Sequence, residues 1–134
     1  MYRALAVYPH LVREDTVDCT SCAFLRNKPI TVSIDTKKSE GLEEPILQIG
    51  VWHAAHWAYL DRISKMRNTD LDGLGFLPGL NMGGADWYSV ASTRQGHKTT
   101  LWNQQLIGSK ESLIGAYKVV RAIQYLAWWS NSFY

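Results

Sequence analysis

Asp35 and Lys37 are separated by a single threonine, in Asp35-Thr36-Lys37. On an extended strand, residues two apart point to the same side, so this carboxylate and this ammonium stand together. A carboxylate binds a hard cation such as Mg²⁺. An ammonium beside it positions a water or stabilises charge that develops on a phosphate. A triplet this short is common by chance, and taken alone it is better read as a solvated strand end carrying an ion pair. Gln48 and Trp52 follow at a spacing of four, one face of a helix, which Ala55 and Tyr59 continue. A glutamine amid apolar residues must find partners, because an unpaired buried amide costs about 1–3 kcal/mol. Its partner is either the strand end bearing Asp35 and Lys37 or the backbone of a nearby loop.

Three weaker patterns are present. Cys19-Thr20-Ser21-Cys22 and His53-Ala54-Ala55-His56 offer four zinc-type donors. Structural zinc sites pair C-x₂₋₄-C with H-x₃₋₅-H. Here the histidines are only three apart and far from the cysteines, so no shared zinc is expected, and two histidines satisfied within the fold are the simpler reading. Arg94, His97 and Lys98 gather at a turn, where they either reach a phosphate or are merely solvated. The tryptophans at 52, 57, 87, 102, 128 and 129 are read as core.

The elements that must position these residues follow from periodicity. Residues 4–8 read as a short strand stopped by Pro9, and residues 10–28 as a polar connection. From Pro29 to Asp35, Ile30, Val32 and Ile34 alternate with Thr31, Ser33 and Asp35, the period of a strand. Asp35 and Lys37 then lie opposite the isoleucine face. After Gly41 the period changes. Glu43, Glu44 and Pro45 suit a first helical turn, and the helix is expected to reach about Met66. It is apolar on most sides and is expected to be largely buried. Residues 68–75 read as a turn-rich loop. Asp86 to Thr93 and Lys98 to Trp102 form a hairpin about Gly96, and a second helix is expected from a cap at Ser109 to about Trp129. The order strand, strand, helix, hairpin, helix is that of one α/β domain over residues 1–134.

Composition bounds the class. The 134 residues, 46% of them hydrophobic, with six tryptophans and seven tyrosines, suit one folded domain and exclude wholesale disorder. A net charge of +2 permits a polyanionic partner without arguing for one, so any affinity for nucleic acid must come from a local patch. Lys37 and Lys38 would provide such a patch beside Asp35. No apolar run reaches the ~20 residues that cross a bilayer, and two cysteines are too few for a secreted disulfide scaffold. An intracellular protein without a membrane partner is the expectation.

Read together, Ile30 to Lys38 and Leu47 to Trp57 resemble the PD-(D/E)XK nuclease-like domain of fungal proteins. Phe76 to Leu80, Val90 to Arg94, Thr99 to Trp102 and Ile114 to Leu126 follow in fitting order. The resemblance implies a restriction-endonuclease-like core, a mixed sheet flanked by helices, lacking at its N-terminus the usual first helix and strand. It implies that Asp35 is the metal-binding acid, that Lys37 is the catalytic lysine, and that Gln48 matches a glutamine set beside the site in some members. It implies Mg²⁺ as the cofactor and nucleic acid as the partner, with Lys38 and Arg94 as residues that touch it. Two features depart from the family's pattern: the helix and strand that normally come first are not found, and one acid is missing. The upstream acid of the family would fall near Tyr2, and there is none. Glu14, Asp15 and Asp18 are the nearest substitutes. The expectation is therefore a nuclease-like domain of weak or absent activity, with a non-catalytic protein- or nucleic-acid-interaction module on the same fold as the alternative.

Overall fold

The computed structural model describes residues 2–3, 30–37 and 43–133. In them a five-stranded sheet carries two helices. The strands are β1 (Tyr2–Arg3), β2 (Ser33–Lys37), β3 (Leu77–Gly83), β4 (Asp86–Gln95) and β5 (Lys98–Ser109), and the helices are α1 (Glu43–Arg67) and α2 (Leu113–Phe133). The spatial order is β1-β5-β4-β3-β2. β3, β4 and β5 form an antiparallel meander, β1 pairs antiparallel with β5, and β2 runs parallel to β3. A parallel pair needs a crossover, and α1 supplies it. The sheet is therefore mixed, as an α/β domain of the restriction-endonuclease-like kind requires.

Local chemistry explains the element ends. α1 stops at Asn68, which takes a left-handed φ of 52°. Thr69 N–H then bonds the Ser64 carbonyl and Asn68 N–H the Lys65 carbonyl, the paired bonds of a Schellman end. Gly84 and Gly96 hold positive φ in the β3–β4 and β4–β5 turns, where side chains other than glycine are strained. α2 is capped by Ser112, whose hydroxyl accepts from Gly115 N–H at 3.0 Å. The cap is thus Ser112 and not Ser109, because Ser109 is still the last residue of β5 and its hydroxyl bonds Glu111 N–H.

The two faces of the sheet differ. On the α1 side, Ile49, Val90 and Leu101 form the buried apolar centre, joined by Ile46. Each such side chain contributes about 1.5–3 kcal/mol when fully buried. α1, expected to be largely buried, leaves an apolar stripe in solvent: Leu47, Val51 and Trp52 are exposed, while Ile49, His53, His56, Trp57 and Ser64 face inward. On the α2 side, Trp129 packs on Phe76 with ring centroids 5.3 Å apart. Ser130 donates to the Thr31 hydroxyl at 2.8 Å. Beside them an open cleft of about 440 Å³ is lined by Pro78, Leu80, Ala91, Trp102, Tyr125 and Leu126, among others.

Three further expectations change. The strand expected from Pro29 begins only at Ser33, and Ile34 is half-exposed on it while Asp35 is buried. β3 was not expected as a strand, because Pro78, Gly79 and Gly83 depress β propensity. The pairing partners on both sides of it override that. Of the tryptophans, 57 and 129 are core, whereas 52, 102 and 128 are exposed. The strand expected at residues 4–8, and Glu14, Asp15, Asp18, Cys19, Cys22 and Lys38, lie outside the described residues.

Candidate functional site

β2 delivers Asp35 to the α1 side. In the parallel ladder Ser33 pairs with Gly79, Asp35 with Asn81 and Lys37 with Gly83. Gly79 pairs in turn with Val90, which belongs to the core under α1. Laterally paired residues share a face, so Asp35 and Asn81 look toward α1. Asp35 is 8% exposed and Asn81 fully buried. Asp35 Oδ2 and both amide atoms of Asn81 have no hydrogen-bond partner. Buried polar atoms are nearly always paired. Three orphans on neighbouring strand positions therefore mark this spot as unusual in the fold.

A second polar group lies deeper under α1. His53 Nδ1 and the Ser92 hydroxyl are 2.8 Å apart, and Trp57 Nε1 donates to the same hydroxyl at 3.0 Å. Burial, with His56 nearby, lowers the His53 pKa to about 4, opposed by the Pro78 carbonyl. The ring is therefore neutral at physiological pH. The Ser92 hydroxyl, which accepts from Trp57 Nε1, has its own proton to donate to Nδ1, while His53 Nε2 is buried without a hydrogen-bond partner. Gly79 makes room for this ring. A Cβ there would come within 3.2 Å of His53 Nε2 and 2.9 Å of Val90 Cγ2. With Ser92 and His53 almost wholly buried, the trio is a structural pin between α1 and β4 and offers no nucleophile to a substrate. His53 and His56 are thus turned into the core.

The residues singled out from the sequence are only partly brought together. Lys37 occupies the position on β2 paired with Gly83, two beyond Asp35. Gln48 lies on α1 one residue from Ile49, but its side chain is exposed, and the unpartnered Asp35 Oδ2 receives nothing from it. Arg94 lies elsewhere. Asn81 pairs with Tyr88, and Arg94 is six residues farther along β4, roughly 20 Å at the usual rise per residue. Arg94 Nε bonds the Gly96 carbonyl of its own turn. The Asp61 carboxyl, near the C-terminal end of α1, is held below its ordinary pKa first by the hydrogen bond from Lys65, with smaller help from Arg94 and His97. That places Arg94 at the end of the sheet away from Asp35. Asn81 was missed. Its signal was a lone amide in Leu77-Pro78-Gly79-Leu80-Asn81-Met82, muted because the segment did not look like a strand.

The chain matches the family model of the PD-(D/E)XK nuclease superfamily over residues 3–134, and it belongs to that superfamily. No curated protein and no solved structure matches it. Members of the superfamily commonly use divalent metals. The residues described here fit such an ion to a limited degree. They contain no group of three His, Cys, Asp or Glu side chains able to hold a metal, but Mg²⁺ is usually bound by one or two carboxylates and keeps several waters. Asp35, with a buried and unpartnered oxygen, suits that mode. A bound divalent cation would supply charge neutralisation at a phosphate and a more acidic water. Asp35 would hold it, and the burial around Asp35 would strengthen the attraction by excluding solvent.

Proposed function

We propose that this chain is a nuclease-like domain that binds a divalent cation at Asp35 and, through it, a phosphodiester backbone, with slow hydrolysis at best. Buried Asp35 with its unpartnered Oδ2, in a member of the PD-(D/E)XK nuclease superfamily, carries this reading. In the proposal Lys37 meets the phosphate and stabilises its developing charge. Gln48, exposed on the first turns of α1, contacts substrate, as does Lys38, which follows Lys37 in the sequence, whereas the distance of Arg94 confines it to a remote contact with a long strand. Activity is slow because Asp35 is the one acid that the reading assigns. A water misplaced by about 1 Å can cost a hundredfold in rate. The test is a Mn²⁺ and Mg²⁺ titration of the protein with single- and double-stranded DNA and RNA present. Cation-dependent nucleic-acid binding is expected, with any cleavage slow and both lost in Asp35→Ala. Fast cleavage that survives Asp35→Ala would defeat the reading.

One observation favours a second reading, an interaction module for protein partners on the same fold. α2 leaves Leu113, Ile114, Tyr117, Val120, Tyr125 and Trp128 at least half-exposed. An apolar surface of this kind marks an interaction site when it is contiguous and large. Sedimentation velocity over a hundredfold concentration range checks it. Self-association abolished by Tyr117→Glu with Val120→Glu would support this reading, and a concentration-independent monomer would remove self-pairing from it.

A further inference from the structure

The orphaned atoms beside Asp35 do not balance among themselves. Asp35 Oδ2 is an acceptor, Asn81 Oδ1 is an acceptor, and Asn81 Nδ2 is a donor of two protons. Strand neighbours stand about 4.8 Å apart, so a small turn of either side chain lets Nδ2–H reach Oδ2. That pairing still leaves the amide oxygen unpaired in a fully buried residue. Leaving a buried polar group unsatisfied costs on the order of 1–3 kcal/mol, and a leucine at position 81 would avoid it. The register thus sets a fully buried amide next to a buried carboxylate oxygen, each without a hydrogen-bond partner, on one face of the sheet. Hard cations take side-chain amide carbonyls as ligands alongside carboxylates, though more weakly.

We infer that Asn81 is the second protein ligand of the cation held by Asp35, binding it through Oδ1, with Nδ2 left to donate to a coordinated water or to a phosphate oxygen. The inference rests on the cation reading given above, and it adds to that reading a residue from the parallel neighbouring strand. The register pair Asp35–Asn81 sets the two residues side by side on backbones that are hydrogen-bonded to each other. The site needs no acid on a third element to reach two protein ligands. One ligand is neutral, so the pair neutralises less of the cation's charge than two carboxylates do. Affinity is correspondingly modest.

The test uses the full chain and Mn²⁺ alone, with free Mn²⁺ followed by its paramagnetic resonance signal and thermal unfolding measured with and without the ion. Asn81→Leu should weaken Mn²⁺ binding about tenfold or more, the scale on which shell residues tune metal sites. Asn81→Asp should lower the melting temperature without metal, through carboxylate repulsion. It should also bind Mn²⁺ more tightly than the parent and gain more thermal stability from it. Affinities within twofold of the parent in both variants, with binding still abolished by Asp35→Ala, would overturn the role of Asn81 and leave the cation at Asp35 standing. A water merely bridging the two oxygens would give that result. Absence of Mn²⁺ binding by the parent protein would defeat the cation reading and this inference together. Should Asn81→Leu fail to fold, Asn81→Asp decides alone, and an unchanged affinity in it counts against the inference.

Discussion

Acidification from pH 6.5 to pH 4 is expected to remove about 3 kcal/mol of stability through His53 alone. In the folded protein burial lowers its pKa from 6.5 to about 4. In the unfolded chain the ring titrates near the ordinary value. Above pH 6.5 both states carry a neutral ring and the group contributes no pH dependence. Between 6.5 and 4 the unfolded chain binds the proton and the native state does not, so stability falls as pH falls. Below about pH 4 the native ring also protonates and this contribution levels off. The structural cost of that proton is specific. It would sit on a ring almost wholly buried, against the Ser92 hydroxyl, which already accepts from Trp57. Urea unfolding at half-unit pH steps measures the slope, and His53→Gln, without a titrating ring, should lose most of it in this window. A variant with the parent's slope would show that other groups carry the acid response.

Gly115→Ala is expected to be the most damaging single-methyl change in the fold, costing about 3 kcal/mol or more and lowering the melting temperature by roughly 10 °C or more. Gly115 is the third residue of α2, and its N–H is bonded to the Ser112 cap. A Cβ there would collide with the backbone carbonyl of Ser109 and come within 2.7 Å of Ser109 N. Gly108 shows the converse, since its Cβ would stand 2.6 Å from the Gly115 carbonyl oxygen. The end of β5 and the start of α2 thus touch backbone to backbone, and no rotamer change relieves the overlap. The helix must move, and Val119 and Trp129, which bury its inner side, lose their seats. Gly73→Ala is the control. A Cβ at that position has open space, and its stability should stay within about 0.5 kcal/mol of the parent. Thermal unfolding of both variants checks the pair, and a Gly115→Ala protein as stable as the control would show that the junction is loose.

Much of the frame was legible because it rests on short-range rules. α1, observed from Glu43 to Arg67, was readable from its acidic first turn and from the change of period after Gly41. The β4–β5 hairpin was readable from Gly96, whose φ of 59° is what the turn demands. β3 was not readable. Its proline and glycines look like a loop, and it is a strand only because β2 and β4 bond to both of its edges. The start of α2 was misread by three residues because Ser109 and Ser112 are equally good caps in sequence, and the longer β5 takes the first of them. The one-sidedness of α1 was also hidden. Its apolar residues surround the helix, and packing against the sheet chose which stripe to bury.

By itself the sequence determined the spacing of Asp35 and Lys37, the helix that follows them and the membership of a nuclease-like superfamily, since each is carried by residue order within one element or by segments in a fixed succession. Tertiary structure decided everything that depends on which strand lies beside which. It turned Asp35 toward α1 and buried it, set Asn81 next to it, left Gln48 at the surface and moved Arg94 to the far end of the sheet. It also put His53 on Ser92, 39 residues away. The physical reason is that strand pairing and helix docking are contacts between residues distant in the chain. Their register follows from the hydrogen bonds and apolar area of the whole sheet, and no local pattern contains it.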